Sequence, residues 1–263
     1  MHQRHSDKWQ YFNEQAYTTK KYVVAYIEKH RRITKETTIL EIGCGEGGNL
    51  VPFMELGCRI TGIDLSKGKI DKGIEFFAGH PNRKNLILIA DNIYNRNDLG
   101  KFDVIILRDV IEHIPDQHFF MGYFKSFFHP ESVVYFGFPP WQNPFGGHQQ
   151  ICHSRILSKM PYFHMLPVPL YRGMLKLFGE PDSGTRELLE IKETGISIER
   201  FESTCKNNGF EVLDRTLFLV NPNYEVKFKL KPRQQTKVIA SIPWLRNYFT
   251  TCAYYLLKLR SGE

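Results

Sequence analysis

The chain has 263 residues, of which 42% are hydrophobic and 24% charged, a composition that excludes a disordered protein. No run of about 18 apolar residues occurs and the N-terminal segment lacks an apolar core, so we expect neither a membrane-spanning helix nor a signal peptide. The formal net charge of +7 lies at the two ends, because residues 1–35 carry +5 and residues 221–263 carry +6.

Helices and strands are predicted to alternate along the first half of the chain. Residues 8–32 have apolar side chains at helical spacing, and five later segments are apolar on both faces, as buried parallel strands are. This alternation predicts an α/β, Rossmann-like, doubly wound and mostly parallel sheet. The predicted strands are residues 38–43, 59–66, 86–91, 102–109 and 132–140, and the predicted helices include residues 67–79 and 116–128.

The alternation stops after Pro140. Residues 139–195 are rich in proline and aromatic side chains and are too long for an ordinary loop, which predicts an inserted lid over an apolar site. The same aromatic residues can instead build a small accessory core, and the two roles are compatible. These residues are Trp141, Phe145, Tyr162, Phe163, Tyr171 and Phe178.

A predicted helix and strand over residues 197–220 restore the alternation, and a second insertion at about 221–248 precedes a last strand at 250–259. The sequence therefore predicts four regions. They are an N-terminal helical cap (1–35), a cofactor-binding core (36–138), an inserted substrate lid (139–195) and the C-terminal part of the core (196–263).

A glycine-rich turn follows the first predicted strand. Gly43, Gly45 and Gly48 have the spacing of a dinucleotide site, and no Lys-Ser/Thr pair follows them, so a phosphate-transfer loop is excluded. Glu41 lies two residues before the first glycine, where it would oppose a pyrophosphate but suits a ligand with a positive amino group. Asp64 ends the second strand, where a carboxylate can accept both hydroxyls of a ribose.

A third acidic residue, Asp91, ends the third predicted strand, and Asn92 is placed to read an adenine ring, although Asp91 is also a favoured helix cap. In order, the glycine turn, "GIDLS", "ADNI" and "FDVIILRDVIEHI" resemble the class I S-adenosylmethionine-dependent methyltransferases over residues 36–138 and, more loosely, 196–258. The resemblance is greatest to the branch that includes the quinone-biosynthesis methyltransferases. It implies S-adenosyl-L-methionine as cofactor and a seven-stranded sheet whose last strand is antiparallel.

The resemblance also implies roles for residues around this cofactor. The backbone of Gly43, Cys44 and Gly45 would pass beneath the methionine part, and Leu65 would pack against the adenine. The backbone carbonyl of Arg108, just after the fourth strand, would hold the methionine amino group. Asp91 would face the adenine amino group, with the Asn92 backbone amide at a ring nitrogen, while Glu41 and Asp64 keep the roles given above.

Three residues are candidates for contact with the acceptor. Asp109 and His113 follow the fourth strand, where His113 with Glu112 resembles a pair frequent in this family, and their alternative role is local structure at a helix start. His148 follows the fifth strand after two glycines, and its imidazole can deprotonate a hydroxyl near neutral pH. The alternative for His148 is an exposed loop histidine.

The five cysteines are scattered and include no Cys-x-x-Cys pair, so we expect free thiols in a reducing cytoplasm. A zinc site formed by His148, Cys152 and His153 would have unorthodox spacing. The sequence therefore predicts no metal site.

Three functions are compatible with these observations. The first is O- or N-methylation of a small molecule or of a cell-envelope glycan or lipid precursor. The second is RNA methylation through the basic ends, which is disfavoured because no run of five basic residues occurs. The third is a non-catalytic scaffold that binds the cofactor.

Residues 242–249, "IPWLRNYF", either pack on the lid or make a peripheral membrane contact.

Overall fold

The structure, a computed structural model, describes residues 7–260 and is organised around one sheet in the order β3-β2-β1-β4-β5-β8-β6-β7. The first five strands are mutually parallel, and β8 runs antiparallel to both β5 and β6. The strands are β1 (Thr38–Ile42), β2 (Arg59–Asp64), β3 (Leu86–Ala90), β4 (Phe102–Arg108), β5 (Phe128–Phe138), β6 (Phe210–Val220), β7 (Arg233–Gln234) and β8 (Cys252–Leu259).

The predicted Rossmann-like architecture with an antiparallel last strand is confirmed, but the predicted strand number of seven is wrong. The additional strand is β7, a two-residue segment that pairs with β6 at the edge of the sheet. It lies inside the predicted second insertion, and two polar residues after a proline carry no alternating pattern that would reveal a strand.

Helices cover both faces of the sheet. The N-terminal helix α1 (Lys8–Thr18) continues through a π-helical turn, Thr19–Val23, into α2 (Val24–Glu28). The other helices are α3 (Val51–Glu55), α4 (Lys67–Phe77), α5 (Gln117–Tyr123), α6 (Val168–Leu177), α7 (Asp182–Thr194), α8 (Ile198–Asn207), α9 (Asn223–Phe228), α10 (Lys237–Ser241) and α11 (Leu245–Tyr248). Within residues 7–260, no helix is long and apolar enough to cross a bilayer.

Two apolar clusters sandwich the sheet. On one face, the buried rings of Phe120 and Phe201 from α5 and α8 pack against the sheet. On the other face, Phe12, Tyr26 and Phe77 come from α1, α2 and α4. The helix predicted over 116–128 is shorter than expected, and β5 already starts at Phe128. The sequence could not predict this boundary, because a continuous aromatic run does not show where a buried helix ends and a buried strand begins.

The segment between β5 and α8 folds back on itself. Its side chains form a third apolar cluster, separate from the sheet, that includes Leu157, Phe163, Tyr171 and Leu188. The Trp141 backbone N–H donates to the carbonyl of Ile196 at 2.8 Å, which ties the two ends of the segment together. Part of the aromatic set therefore builds an accessory core, while Phe145 and Tyr162 stay exposed.

Candidate active site

The glycine turn between β1 and α3 is shaped by residues with positive φ. Gly43 (φ 74°) and Gly45 (φ 57°) occupy the left-handed region that favours glycine. The backbone N–H groups of Gly43 and Cys44 both donate to the carbonyl of Ile63, at 2.8 and 3.1 Å. A Cβ atom at Gly43 would lie 2.5 Å from a methyl group of Val110, so this position admits no side chain.

Asp64, at the end of β2, ties the glycine turn to the next loop. Its Oδ2 accepts a hydrogen bond from the Gly45 N–H at 2.9 Å, and its Oδ1 accepts one from the Ser66 N–H at 2.8 Å. Each carboxylate oxygen has a second lone pair, so the side chain can still accept two ribose hydroxyls. Leu65 beside it is 75% exposed, an apolar surface suited to a flat aromatic base.

The end of β3 lies next to the end of β2, because the Asp91 N–H donates to the Asp64 carbonyl at 3.1 Å. Asp91 Oδ1 accepts from the Asn92 N–H at 2.7 Å and from Asn95 Nδ2 at 2.9 Å. The capping role considered for Asp91 belongs to Asn92, whose side chain accepts from the Tyr94 N–H at the start of a short 3₁₀ turn. The two predicted adenine-binding residues thus share one loop.

A buried polar network lies behind the glycine turn. Asn49 Nδ2 donates to Glu41 Oε1 at 2.7 Å, and the Arg108 guanidinium donates to Asn49 Oδ1 at 2.8 Å and to Thr19 Oγ1 at 3.1 Å. Burial raises the pKa of Glu41 to about 8. Glu41 Oε2 has no hydrogen-bond partner, so it fits a positive amino group that would supply one.

The N-terminal helix closes over this network. A Cβ at Gly48 would lie 2.5 Å from the Phe12 carbonyl oxygen, so the helix backbone rests directly on the turn. Burial, together with the nearby charge of Asp109, raises the pKa of Tyr11 to about 12. Tyr11, Thr19 and Asn49 belong to no motif that would mark them as site residues, because helical periodicity predicts the helix but not where it docks.

The loop after β4 carries two of the predicted acceptor-side residues. Asp109 has φ 55°, and its N–H donates to the Gly137 carbonyl on β5 at 2.7 Å. Glu112 is buried with neither carboxylate oxygen hydrogen-bonded. Burial and the charge of Asp109 raise the pKa of Glu112 well above its usual range. Burying an unpaired carboxyl is energetically costly, which makes this loop a candidate part of the functional site.

His148, from the segment after β5, reaches the same place. Its ring lies edge-on to the His113 ring, with centroids 4.9 Å apart. Burial lowers the pKa of His148 to about 4, with His113 acting in the same direction, and burial also lowers the pKa of His113. Both imidazoles are therefore neutral at pH 7, the form that accepts a proton.

Glu112, His113 and His148 form a compact set of potential ligands. Their ligand atoms lie within 4.8 Å of one another, and two imidazoles with one carboxylate are a donor set that suits a transition-metal ion. Sequence spacing could not reveal this set, because His148 comes from a different loop. Cys152, considered above with His148 and His153, is instead buried in the apolar core of the inserted segment.

The predicted cofactor residues therefore gather at the ends of β1 to β4, and the three predicted acceptor-side residues gather at the ends of β4 and β5.

His148 has φ 53°, so the left-handed turn is at the histidine itself. The two glycines before it instead permit close packing, since a Cβ at Gly146 would lie 2.2 Å from the Trp141 carbonyl oxygen.

The chain is similar in sequence to curated methyltransferases. Over 90 residues the chain is 37% identical to a ubiquinone biosynthesis O-methyltransferase from Pelagibacter ubique (strain HTCC1062), a match that covers 33% of this chain and 35% of that protein. The chain spans about a third of the length of the curated relatives that it matches.

Solved methyltransferase structures share the fold at low sequence identity. The structure of geranyl diphosphate C-methyltransferase from Streptomyces coelicolor A3(2), in complex with Mg²⁺, geranyl diphosphate and S-adenosyl-L-homocysteine, matches with a TM-score of 0.56 and 13% identity, covering 91% of this chain and 79% of that one. The magnesium protoporphyrin IX methyltransferase of Synechocystis PCC 6803, with bound S-adenosylhomocysteine, matches with a TM-score of 0.55 and 13% identity, covering 93% and 84%.

Residues 12–155, more than half of the chain, match the methyltransferase domain family. The match includes the N-terminal helix, the glycine turn, the ends of β2 to β4 and His148. The predicted family and the predicted cofactor, S-adenosyl-L-methionine, are confirmed. The chain belongs to the methyltransferase domain family, within the class I S-adenosylmethionine-dependent methyltransferases.

Proposed function

We propose that this chain transfers a methyl group from S-adenosyl-L-methionine to a hydroxyl oxygen of a small-molecule acceptor. The observation that carries the proposal is the meeting of His148 with His113 beside the glycine turn. Val110, on the same loop as His113, touches Gly43, so acceptor-side and cofactor-side residues adjoin. When bound, the cofactor supplies a methyl group already activated on a sulfonium, so the protein has mainly to align the acceptor and exclude water.

His148 is the proposed general base. Its neutral imidazole takes the proton that the acceptor hydroxyl loses as the oxygen–carbon bond forms. His113 and Asp109 are proposed to contact the acceptor from the β4 loop, where desolvation lowers the pKa of His113 and the Asp109 charge opposes this shift only in part. An acceptor nitrogen with a free lone pair would need no base, and for this reason the histidine pair favours oxygen.

The four regions predicted from the sequence are proposed to divide the work. Residues 1–35 and 36–138 hold the cofactor, and residues 139–195 act as a lid, with Phe145 and Tyr162 available to contact an apolar acceptor. Residues 196–263 complete the sheet, and residues 242–249 within this region are proposed to make a peripheral membrane contact, which would suit a lipid or glycan precursor. All five cysteines are free and buried, which supports a reducing compartment such as the cytoplasm.

The first experiment measures cofactor binding by calorimetry. Wild type should bind S-adenosyl-L-methionine, and Asp64→Ala should bind at least about tenfold more weakly, because it loses hydrogen bonds between a carboxylate and the ribose hydroxyls. Asp71→Ala is the matched control, since Asp71 pairs only with exposed Lys67 on the outside of α4. Absence of binding by wild type, or equal binding by Asp64→Ala, would refute the cofactor assignment.

The second experiment follows a labelled methyl group into a panel of phenols, catechols, amines, lipid and glycan precursors, and RNA. Labelling of a phenol or catechol that His148→Asn strongly reduces supports the proposal. Labelling of RNA would instead support an RNA methyltransferase. Cofactor binding without any labelled product would identify a non-catalytic scaffold.

A further inference from the structure

The segment at residues 235–250 places polar side chains inside and apolar side chains outside. Gln235, Arg246, Asn247 and Thr250 are buried. An ordinary surface loop has the reverse arrangement, and a cluster of exposed large apolar residues marks a contact surface. The exposed residues, here called the apolar face, are Val238, Ile242, Trp244, Leu245, Tyr248 and Phe249.

The buried polar groups hold this segment rigidly. Glu199 on α8 accepts hydrogen bonds from the Trp244 N–H at 2.9 Å, from Arg246 Nε at 2.8 Å and from Asn247 Nδ2 at 2.6 Å. Gln235 Nε2 donates to the Arg246 carbonyl at 3.0 Å and closes the base of the segment. The apolar face is thus presented by a fixed scaffold and does not result from local disorder.

Trp244 is held in a strained backbone conformation that turns its indole outward. With φ 65° and ψ −48°, and with the Leu245 N–H donating to the Pro243 carbonyl at 2.7 Å, it occupies the centre of a γ-turn of the rare, strained type. Such a conformation costs on the order of 1–3 kcal/mol and persists only where its surroundings enforce it. The hydrogen bond from the Trp244 N–H to Glu199 helps to enforce this conformation, which leaves the indole 62% exposed.

Exposed basic side chains precede the apolar face in the chain, among them Arg233 and Lys237, whereas Arg246 within the segment is paired with Glu199 and Glu202. Residues 226–260 contain eight Lys or Arg and no Asp or Glu. Just before β7, the exposed side chains of Phe228 and Leu230 alternate with lysines at 227, 229 and 231. Basic residues interleaved with exposed aromatic and aliphatic residues match a surface with negative charge above an apolar interior, which an anionic lipid bilayer provides.

We propose that the apolar face and the lysines of residues 227–231 bind the surface of an anionic lipid bilayer. Trp244, Leu245 and their neighbours enter the headgroup region, where tryptophan and tyrosine are favoured, and the lysines contact acidic headgroups. The face is continuous with the inserted segment, because the Tyr248 ring lies 6.4 Å from that of Tyr162.

The consequence for the acceptor rests on the proposed function: an amphiphilic acceptor would reach the site from the bilayer. The binding itself does not require methyl transfer. It is tested by sedimentation of the full chain with vesicles of phosphatidylcholine alone or mixed with phosphatidylglycerol. Wild type should sediment only with the anionic vesicles and should be released by salt.

Two double variants dissect the contact. Trp244→Ser with Leu245→Ser should weaken binding by about tenfold or more, since both apolar anchors are lost. Lys229→Glu with Lys231→Glu should weaken it by at least about fivefold per residue. The matched control is Ile87→Ser, because Ile87 is 59% exposed on β3, at the opposite edge of the sheet.

Circular dichroism melting verifies that each variant folds. Equal loss of vesicle binding in Ile87→Ser, or failure of wild type to bind anionic vesicles, would overturn the proposal. So would a wild-type dimer that Trp244→Ser with Leu245→Ser dissociates without vesicle binding, because the face would then join two copies. Calorimetry with S-adenosyl-L-methionine on the same samples separates this failure from a failure of the methyltransferase assignment.

Discussion

The cofactor side and the acceptor side of the site are built in different ways. On the cofactor side, short motifs at successive strand ends are joined by backbone hydrogen bonds, and the Ile63 carbonyl alone holds two amides of the glycine turn. On the acceptor side, His113 and His148 come from separate loops and meet through side-chain packing. The cofactor side is therefore specified by local sequence, whereas the acceptor side depends on how the inserted segment docks on the core.

The largest expected effect is on the cofactor side. Gly43→Val should abolish detectable binding of S-adenosyl-L-methionine, because the new side chain would meet Val110 and would be strained at φ 74°. Gly68→Ala is the control, since nothing lies within 4 Å of a Cβ at that glycine. Calorimetry measures the binding, and wild-type affinity in Gly43→Val would contradict a turn specified by its backbone.

On the acceptor side, His148→Asn should lower kcat by about 10²–10⁴-fold while leaving cofactor affinity within about twofold. Asparagine tolerates the left-handed conformation at φ 53°, so the loop is preserved while the base is removed. His118→Asn, on the exposed side of α5, is the control. An equal fall in cofactor affinity would show that the two sides are not separable.

The buried network behind the turn should matter mainly for stability. Asn49→Leu removes the hydrogen bond to Glu41 Oε1 and leaves the Arg108 guanidinium with Thr19 but without Asn49, so it should reduce the free energy of unfolding by about 2–4 kcal/mol. Urea denaturation measures the change. Asn13→Ala, on the exposed face of α1, should change it by less than about 0.5 kcal/mol. A small effect of Asn49→Leu would show that the network does not hold the cofactor side together.

The smallest effect concerns the protonation of Glu41. Its folded-state pKa of about 8 lies above the ordinary glutamate value of 4.5, so its contribution to the free energy of unfolding is full below pH 4.5 and declines as pH rises towards 8. At pH 7 the carboxyl is mostly protonated, and a cationic amino group placed beside it would release up to about one proton.

Calorimetry of cofactor binding in two buffers of different ionisation enthalpy measures this release. The heat of cofactor binding to wild type should depend on the buffer, and Glu41→Gln should lose the part of this dependence that comes from the proton released by Glu41. Identical buffer dependence in both proteins would show that Glu41 does not respond to the amino group.

The sheet was predictable because its strands are continuous apolar segments, and Asp64 and Asp91 could be assigned because they end such segments. β7 could not be predicted, because two polar residues carry no periodic signal. Nothing in the sequence pattern ties Arg108 to Asn49 and Thr19, since their contact arises only when the N-terminal helix docks. The orphaned carboxyl of Glu112 likewise appears only once its surroundings are packed.

The backbone hydrogen bond from Trp141 to Ile196 joins the two ends of the inserted segment, so the segment forms a closed loop attached to the sheet. The chain leaves and re-enters the core at one point, and the segment carries its own apolar centre. Its length and content can therefore change with little entropic penalty to the core, since loop-closure entropy grows only slowly with length. We therefore propose that the insertion can be exchanged, so that one cofactor-binding core is adapted to new acceptors without any change in the strands that support it.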